Sequence, residues 1–342
     1  MNRSSKHRPT IIDIASKLGT SAMTVSRALN DKGEVSKEMR KRVRECADAV
    51  GYRPNRWARS LVTRRSLMIG VVVPEIAHSF FAEIISGIEE VLEKAGYDIL
   101  LCHSRSDPER ERSEIQALIE SQIDGLLVAP AQPEKDPTPF VDLQKRKIPF
   151  VLLDRFFPAW ECSVVRLDDV AAGCLATDFL IQLGHRRIAH ISGPQLSTAT
   201  LRRKGFLKAL RSHNLASNKE LVVEAGYGIE EGRQAMGKLL QLHNRPTAVF
   251  AANDPQAIGA IYACRDAGLH VPEDISIVGA GNIEGIYHPN PFLTTIDWPR
   301  QELGNIAAEI LLRAIEKRNA RRREVHVFPP QLLVRHSTAR RA

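Results

Sequence analysis

The chain has 342 residues, 43% hydrophobic and 26% charged, ordinary globular composition for about two domains; disordered, collagen-like and fibrous classes are excluded. No apolar run reaches the ~18 residues of a membrane helix, and no apolar signal core follows the basic start at residues 1–9, so a cytoplasmic protein is expected. The charge is lopsided: residues 1–65 hold 16 of the 48 Lys/Arg but 6 of the 40 Asp/Glu, a balance of +10, which leaves −2 for the other 277 residues. A basic head on a near-neutral body is either a solvated surface or the footprint of a polyanionic partner. Five scattered cysteines (Cys46, Cys102, Cys162, Cys174 and Cys264), with no CxxC, read as reduced thiols, neither a disulfide frame nor a zinc site.

Along the chain, Ile11, Ile14, Ala15 and Leu18 have helical spacing behind Thr10, which forms a capping-box pattern with Asp13. Gly19 stops that helix, and Ser21 caps a second with Val25, Ala28 and Leu29 inward, which makes a helix-turn-helix. A third helix runs from Ser36 to about Val50, its inner stripe Val43, Cys46, Ala47 and Val50. Residues 8–52 thus form an N-terminal all-α headpiece. Residues 53–65 read as a linker: a short basic helix can follow Pro54, but five arginines leave it little apolar face, and so short a helix is marginal alone.

From residue 66 the pattern alternates. Strands are predicted at 68–73, 98–102, 125–129 and 150–153, with helices at 80–95, 109–121 and 140–146 between them. A second series has helices at 171–183, 201–213, 230–242 and 254–267 and strands at 188–192, 221–224, 248–251 and 276–279. Apolar strands separated by such helices indicate parallel βαβ units, and two runs indicate two doubly wound parallel-sheet subdomains. Ligands of such sheets bind at the carboxyl ends of the strands.

Enzyme signatures are missing: there is no G-x-S-x-G elbow, P-loop, HExxH or G-x-G-x-x-G. Gly279-Ala280-Gly281-Asn282-Ile283-Glu284-Gly285 has the wrong glycine spacing. His185 is read as a connecting turn before a catalytic base, and Asp168-Asp169 as a helix N-terminal pair before a metal site. No catalysis, metal or cofactor is expected.

Val25-Ser26-Arg27, Val35-Ser36, Gly51-Tyr52, Pro54-Asn55-Arg56 and Ala58-Arg59-Ser60-Leu61 together resemble the LacI/GalR family of bacterial transcription regulators. The resemblance continues in order through Phe80-Phe81-Ala82-Glu83-Ile84, Gly184-His185-Arg186-Arg187-Ile188-Ala189, Arg202-Arg203-Lys204-Gly205-Phe206, Asn253-Asp254 and Val271-Pro272-Glu273-Asp274-Ile275-Ser276 to Leu293-Thr294-Thr295-Ile296. It covers nearly the whole chain, and points to a sugar-responsive or gluconate-repressor-like member. It implies a periplasmic-binding-protein-like core at 66–342, crossed by the chain near Ser163, Ile296 and Phe328. The first subdomain would hold about 66–162 and 296–327, the second about 163–295 and 328–342. It implies a homodimer, since the tail carries no leucine heptads, on a pseudo-palindromic double-stranded DNA operator.

The resemblance also implies roles. Ala22, Met23 and Arg27 of the second helix face bases in the major groove, Arg27 through guanine; Met23 either does this or packs in the headpiece core. Thr10, Ser21, Thr24, Ser26, Asn30 and Ser36 are short donors suited to phosphate. Residues 53–65 would be a hinge helix placing Asn55, Ala58 and Leu61 in the minor groove, Leu61 as the wedge or else a linker residue docked on the core. Phe81, Asp154, Arg202, Tyr227 and Asn253 map to the effector cleft, with Phe81 alternatively core and Asp154 alternatively a strand-end cap. Trp298 either stacks on a ligand or fills the hinge. Many sugar-binding members carry an aspartate where Gly281 stands. With Arg155 beside Asp154, that departure favours a sugar acid or sugar phosphate over a neutral sugar, unless Arg155 pairs with Asp168, Asp169 or Glu161. The function expected is an effector-released repressor of a carbohydrate or sugar-acid operon; the alternative is an activator or global regulator controlled by a protein partner or corepressor.

Overall fold

The computed structural model describes residues 9–29, 35–52, 65–76, 79–283, 290–316 and 323–341. The chain divides after Ser66 into two units.

The first unit holds α1 (Ile11–Leu18), α2 (Ala22–Leu29) and α3 (Lys37–Ala49) around a core of Ile14, Ala15, Val25, Ala28, Val43 and Ala47. Its helices start where short polar side chains cap them. The Asp13 N–H donates to Thr10 Oγ1 while Asp13 Oδ2 accepts from the Thr10 N–H at 2.7 Å, a reciprocal capping box. Ser21 Oγ accepts from the Thr24 N–H at 3.1 Å, and Ser36 Oγ from the Met39 N–H at 3.2 Å.

The second unit contains two six-stranded sheets. The first has order β11-β5-β4-β3-β1-β2, all parallel: β1 (Met68–Val73), β2 (Asp98–His103), β3 (Gly125–Val128), β4 (Phe150–Leu153), β5 (Val164–Leu167) and β11 (Val325–Phe328). Helices α4 (Ser79–Lys94) and α11 (Arg300–Glu316) pack on one face, α5 (Pro108–Glu120) and α6 (Thr138–Lys145) on the other. The second sheet has order β12-β10-β9-β8-β6-β7: β6 (Ile188–Ser192), β7 (Val222–Glu224), β8 (Ala248–Ala251), β9 (Ser276–Ala280), β10 (Thr294–Asp297) and β12 (Gln331–Leu333), with only β12 antiparallel. Its helices are α7 (Asp169–Gln182), α8 (Ser197–Ser212), α9 (Ile229–Leu240) and α10 (Asp254–Asp266). Central strands such as Gly125–Val128 and Ala248–Ala251 are buried throughout, as parallel strands covered on both faces must be.

Helices α4 and α11 are in backbone contact. A Cβ on Gly87 would lie 2.0 Å from the Gln301 carbonyl oxygen, and one on Gly304 would lie 2.0 Å from that of Ile84. Only glycine permits this approach from either side.

The chain passes between subdomains after β5 at Asp168, after β10 at Trp298-Pro299 and after β11 at Pro329-Pro330. The first passage lies beyond the Ser163 expected from sequence, because Val164–Leu167 is a further strand of the first sheet; Arg166 interrupts its apolar run. Periodicity assigns no element past Gly279, and the structure adds β10, α11, β11 and β12.

Candidate functional site

In the headpiece, burial of Val25 and Ala28 fixes which side of α2 turns outward. Met23 is 64% exposed and Arg27, one helical turn on, is exposed as well, so Met23 does not fill the headpiece core. Ala22, Thr24 and Ser26 are half-buried, as is Thr10; Ser21 and Ser36 are exposed. Asn30, Asn55, Ala58 and Leu61 lie outside the described residues.

In the core, the carboxyl ends of β4, β6 and β8 and the start of α8 converge. Asp154 ends β4 in the left-handed region, φ 60°, which turns its carboxylate inward. Arg155 is buried, donates from Nη1 to the Pro130 carbonyl at 3.1 Å, and lies 4.0 Å through Nε from Asp154 Oδ2. Its guanidinium stands 5.7 Å from the Tyr227 ring. Arg202, from α8, donates through Nε to Asp169 Oδ1 at 2.8 Å and through Nη1 to the Ala252 carbonyl, and lies 5.0 Å from the Trp298 ring. The Tyr227 hydroxyl is 2.9 Å from Thr198 Oγ1. Asn253 donates to the Tyr227 carbonyl at 2.9 Å and caps α10 by accepting from the Gln256 N–H. Phe81 is buried edge-on against Phe80 in the main apolar core.

Asp154, Arg155, Arg202 and Tyr227 therefore meet, with Asn253 adjoining them; Phe81 packs in the same apolar cluster that holds Trp298. Two participants were missed as cleft residues or left open. Asp168 is the expected helix cap, accepting from the Ala171 N–H at 3.0 Å, but its neighbour Asp169 is fully buried against Arg202. The signal was the doubled aspartate: one carboxylate suffices to cap. Trp298 is buried over Arg202 rather than merely filling the hinge. None of the partners considered for Arg155 takes it: Glu161 bonds Arg323, Asp168 caps α7, and Asp169 holds Arg202. Each guanidinium of the cleft thus has a carboxyl beside it, Arg155 next to Asp154 and Arg202 on Asp169. His185 is structural, with Nδ1 2.9 Å from Thr247 Oγ1 and Nε2 3.0 Å from Ser276 Oγ.

Burial dominates the electrostatics. It raises the Asp154 carboxyl despite Arg202 and Arg155, and lifts Asp169 to about 7 against the pull of Arg202, with the Asp154 charge adding to the rise. Among the described residues, Asp154 Oδ1, Asp169 Oδ2, Arg155 Nε and Trp298 Nε1 are buried without a hydrogen bond. Orphaned buried polar atoms are costly, so four around one cluster mark a place where polar groups of a ligand belong.

Residues 10–55 match the family described as bacterial regulatory proteins, lacI family, and residues 177–338 match the periplasmic binding protein-like domain. The HTH-type transcriptional regulator DegA of Bacillus subtilis (strain 168) is 33% identical over 334 residues, 97% of this chain and 98% of that protein. The chain belongs to the LacI family. Among solved structures, the Lac repressor dimer bound to operator and the anti-inducer ONPF superimposes with a TM-score of 0.84 at 26% identity, covering 97% of this chain and all of that one. The transcriptional regulator CelR–cellobiose complex gives 0.73 at 30% identity, covering 96% and 100%. This LacI-family chain is a DNA-binding transcriptional regulator, and its relatives are regulators rather than enzymes. No helix among the described residues is long and apolar enough to cross a membrane.

Proposed function

We propose that this regulator is a cytoplasmic homodimeric repressor whose affinity for a pseudo-palindromic operator is set by a hydroxyl-rich sugar bound among Asp154, Arg155, Asp169, Arg202, Tyr227 and Asn253. The four orphaned polar atoms carry the effector reading. Two are acceptors and two are donors, and a sugar hydroxyl supplies both. A bare anion brings acceptors only and would leave Asp154 Oδ1 and Asp169 Oδ2 unsatisfied. The CelR complex, with cellobiose, is consistent with this class.

On the DNA side, Ala22, Met23 and Arg27 read base edges from the exposed side of α2, and Thr10, Ser21, Thr24, Ser26, Asn30 and Ser36 hold phosphates. Arg27 offers a bidentate fork to guanine; Met23 offers an apolar surface to a thymine methyl. Asn55, Ala58 and Leu61 serve the minor groove. A change in cleft closure moves the first subdomains of the dimer relative to each other and resets the spacing of the two hinge segments, a population shift between two arrangements. The protein binds and does not catalyse.

The test is a panel pairing each aldose with its aldonic acid, screened by thermal shift and measured by calorimetry on wild type and Asp169→Asn. Binding of at least one neutral sugar, weakened in the variant, is expected, because a bound ligand raises apparent stability by mass action. Preference for the acid in every pair would overturn the effector class. Operator release by the bound sugar in a mobility-shift assay separates this repressor from a partner-controlled activator.

A further inference from the structure

Arg300 opens α11, the helix that returns the chain from the second sheet to the first, and its side chain is 4% exposed. A cation on the first residue of a helix faces the positive end of the macrodipole, so the helix itself gains nothing from it. Its partners lie on other elements. Nε donates to Glu83 Oε1 on α4 at 2.9 Å; Nη1 donates to Asp297 Oδ1 at the end of β10 at 2.8 Å, and to the Gly281 carbonyl just past β9. Glu83 belongs to the first subdomain, whereas Asp297 and Gly281 belong to the second.

Both ends of this bridge are anchored. Glu83 and Arg300 ride on the α4/α11 pair, locked by the contacts at Gly87 and Gly304. Gly281 sits at φ 134°, and its N–H donates to the Ile296 carbonyl at 2.8 Å, so β10 fixes the carbonyl that Arg300 meets. Two residues before Arg300, Trp298 lies against the Arg202 guanidinium, which puts the same crossover in touch with the cleft. Among the described residues, neutral single bonds also join the subdomains: Ser79 Oγ to the Ile283 carbonyl, the Phe156 N–H to Ser197 Oγ, and the Glu134 N–H to the Gln195 carbonyl.

We propose that Arg300 is the positioning residue that holds the core's two subdomains closed, tying the α4/α11 pair to the loop after β9. Its planar fork presents donors in two directions and satisfies a carboxylate on each subdomain together with a carbonyl; a lysine ammonium has no such geometry. The bonds are charge-assisted and the guanidinium itself is buried, which strengthens them. The tie sets the closed–open balance against which any effector acts.

The test measures the distance between subdomains in the full-length chain without ligand. Spin labels go on exposed Ala117 of α5 and Lys238 of α9, through a ketone-bearing amino acid that spares the native thiols, and electron–electron double resonance reads the distribution. Labelled protomers are mixed with an excess of unlabelled ones, so that each dimer carries one labelled copy, and wild type is then expected to give one narrow distance. Arg300→Met and Glu83→Ala are expected to lengthen and broaden it. Arg313→Met, on the same helix but paired with Glu309 and Glu324 inside the first subdomain, is expected to leave it unchanged. Should Arg300→Met fail to fold, Glu83→Ala decides, because that side chain is 31% exposed and tolerates truncation. Distributions of the folded variants that superimpose on wild type would overturn the proposal, even with a lowered melting temperature, since a merely structural arginine changes stability and not separation.

Discussion

Glu111 is fully buried on α5; its Oε2 accepts from the Ala131 N–H and its Oε1 has no partner. Burial pushes its carboxyl from 4.5 up to about 7. The folded protein therefore keeps a proton that the unfolded chain releases, and stability falls as pH rises from about 4.5 to about 7. Glu111→Gln removes this loss, on the order of 3 kcal/mol when complete. Urea midpoints at pH 5 and pH 7.5 should show the variant gaining on wild type at the higher pH; a constant difference would contradict the assignment. The Ala131 loop includes Pro130, whose carbonyl receives Arg155, so Glu111 also supports the cleft wall. In the headpiece, Arg27→Ala should cost about 1–3 kcal/mol of operator affinity and relax one base position. Selection from a randomised DNA pool checks this, and uniform weakening over all sequences would make Arg27 a phosphate contact. Single residues were the least legible part of the sequence. Asp169 and Trp298 act through burial between two sheets, and no local pattern encodes that.

At the scale of elements the sequence was far easier to read. Runs such as Ile69–Val73 and Phe150–Leu153 declare strands covered on both faces, and the structure gives strands there. Val164–Leu167 escaped because Arg166 breaks the run; its guanidinium stacks 4.7 Å from Phe156, an environment set by tertiary folding. Helix α8 begins four residues before the expected Leu201, since Ser197–Thr200 looks like a loop until Ser197, Thr198 and Ala199 are seen buried. The crossing of α4 and α11 was also hidden, because glycines inside helices carry no periodic signal. Gly304→Ala should lower stability by about 1–3 kcal/mol, as overpacking does in a tight core. Chemical denaturation measures it; an unchanged midpoint would mean the helices part at little cost.

For the whole molecule, the charge division governs behaviour on DNA. With its positive excess confined to residues 1–65, the protein's operator affinity should drop steeply with salt. Six to ten phosphate contacts predict a loss of roughly 10³–10⁵ between 50 and 200 mM. A titration by fluorescence anisotropy gives the slope, and a flat response would dissociate the basic head from DNA binding. Light scattering at micromolar concentration should return a dimer; a stable monomer would leave each headpiece with one half-site.

Each sheet is finished by a strand made late in translation. The first waits for β11 and the second for β12, after which residues 335–341 thread back to bond Thr294, Ile277, Ser276 and Leu183. The headpiece is contiguous and needs none of this. At ~5–20 residues per second, the ribosome takes roughly a quarter of a minute to a minute to travel from its end to β12. During that interval a nascent chain carries a finished reading head and no sensor, and a premature stop codon within the core makes the same state permanent.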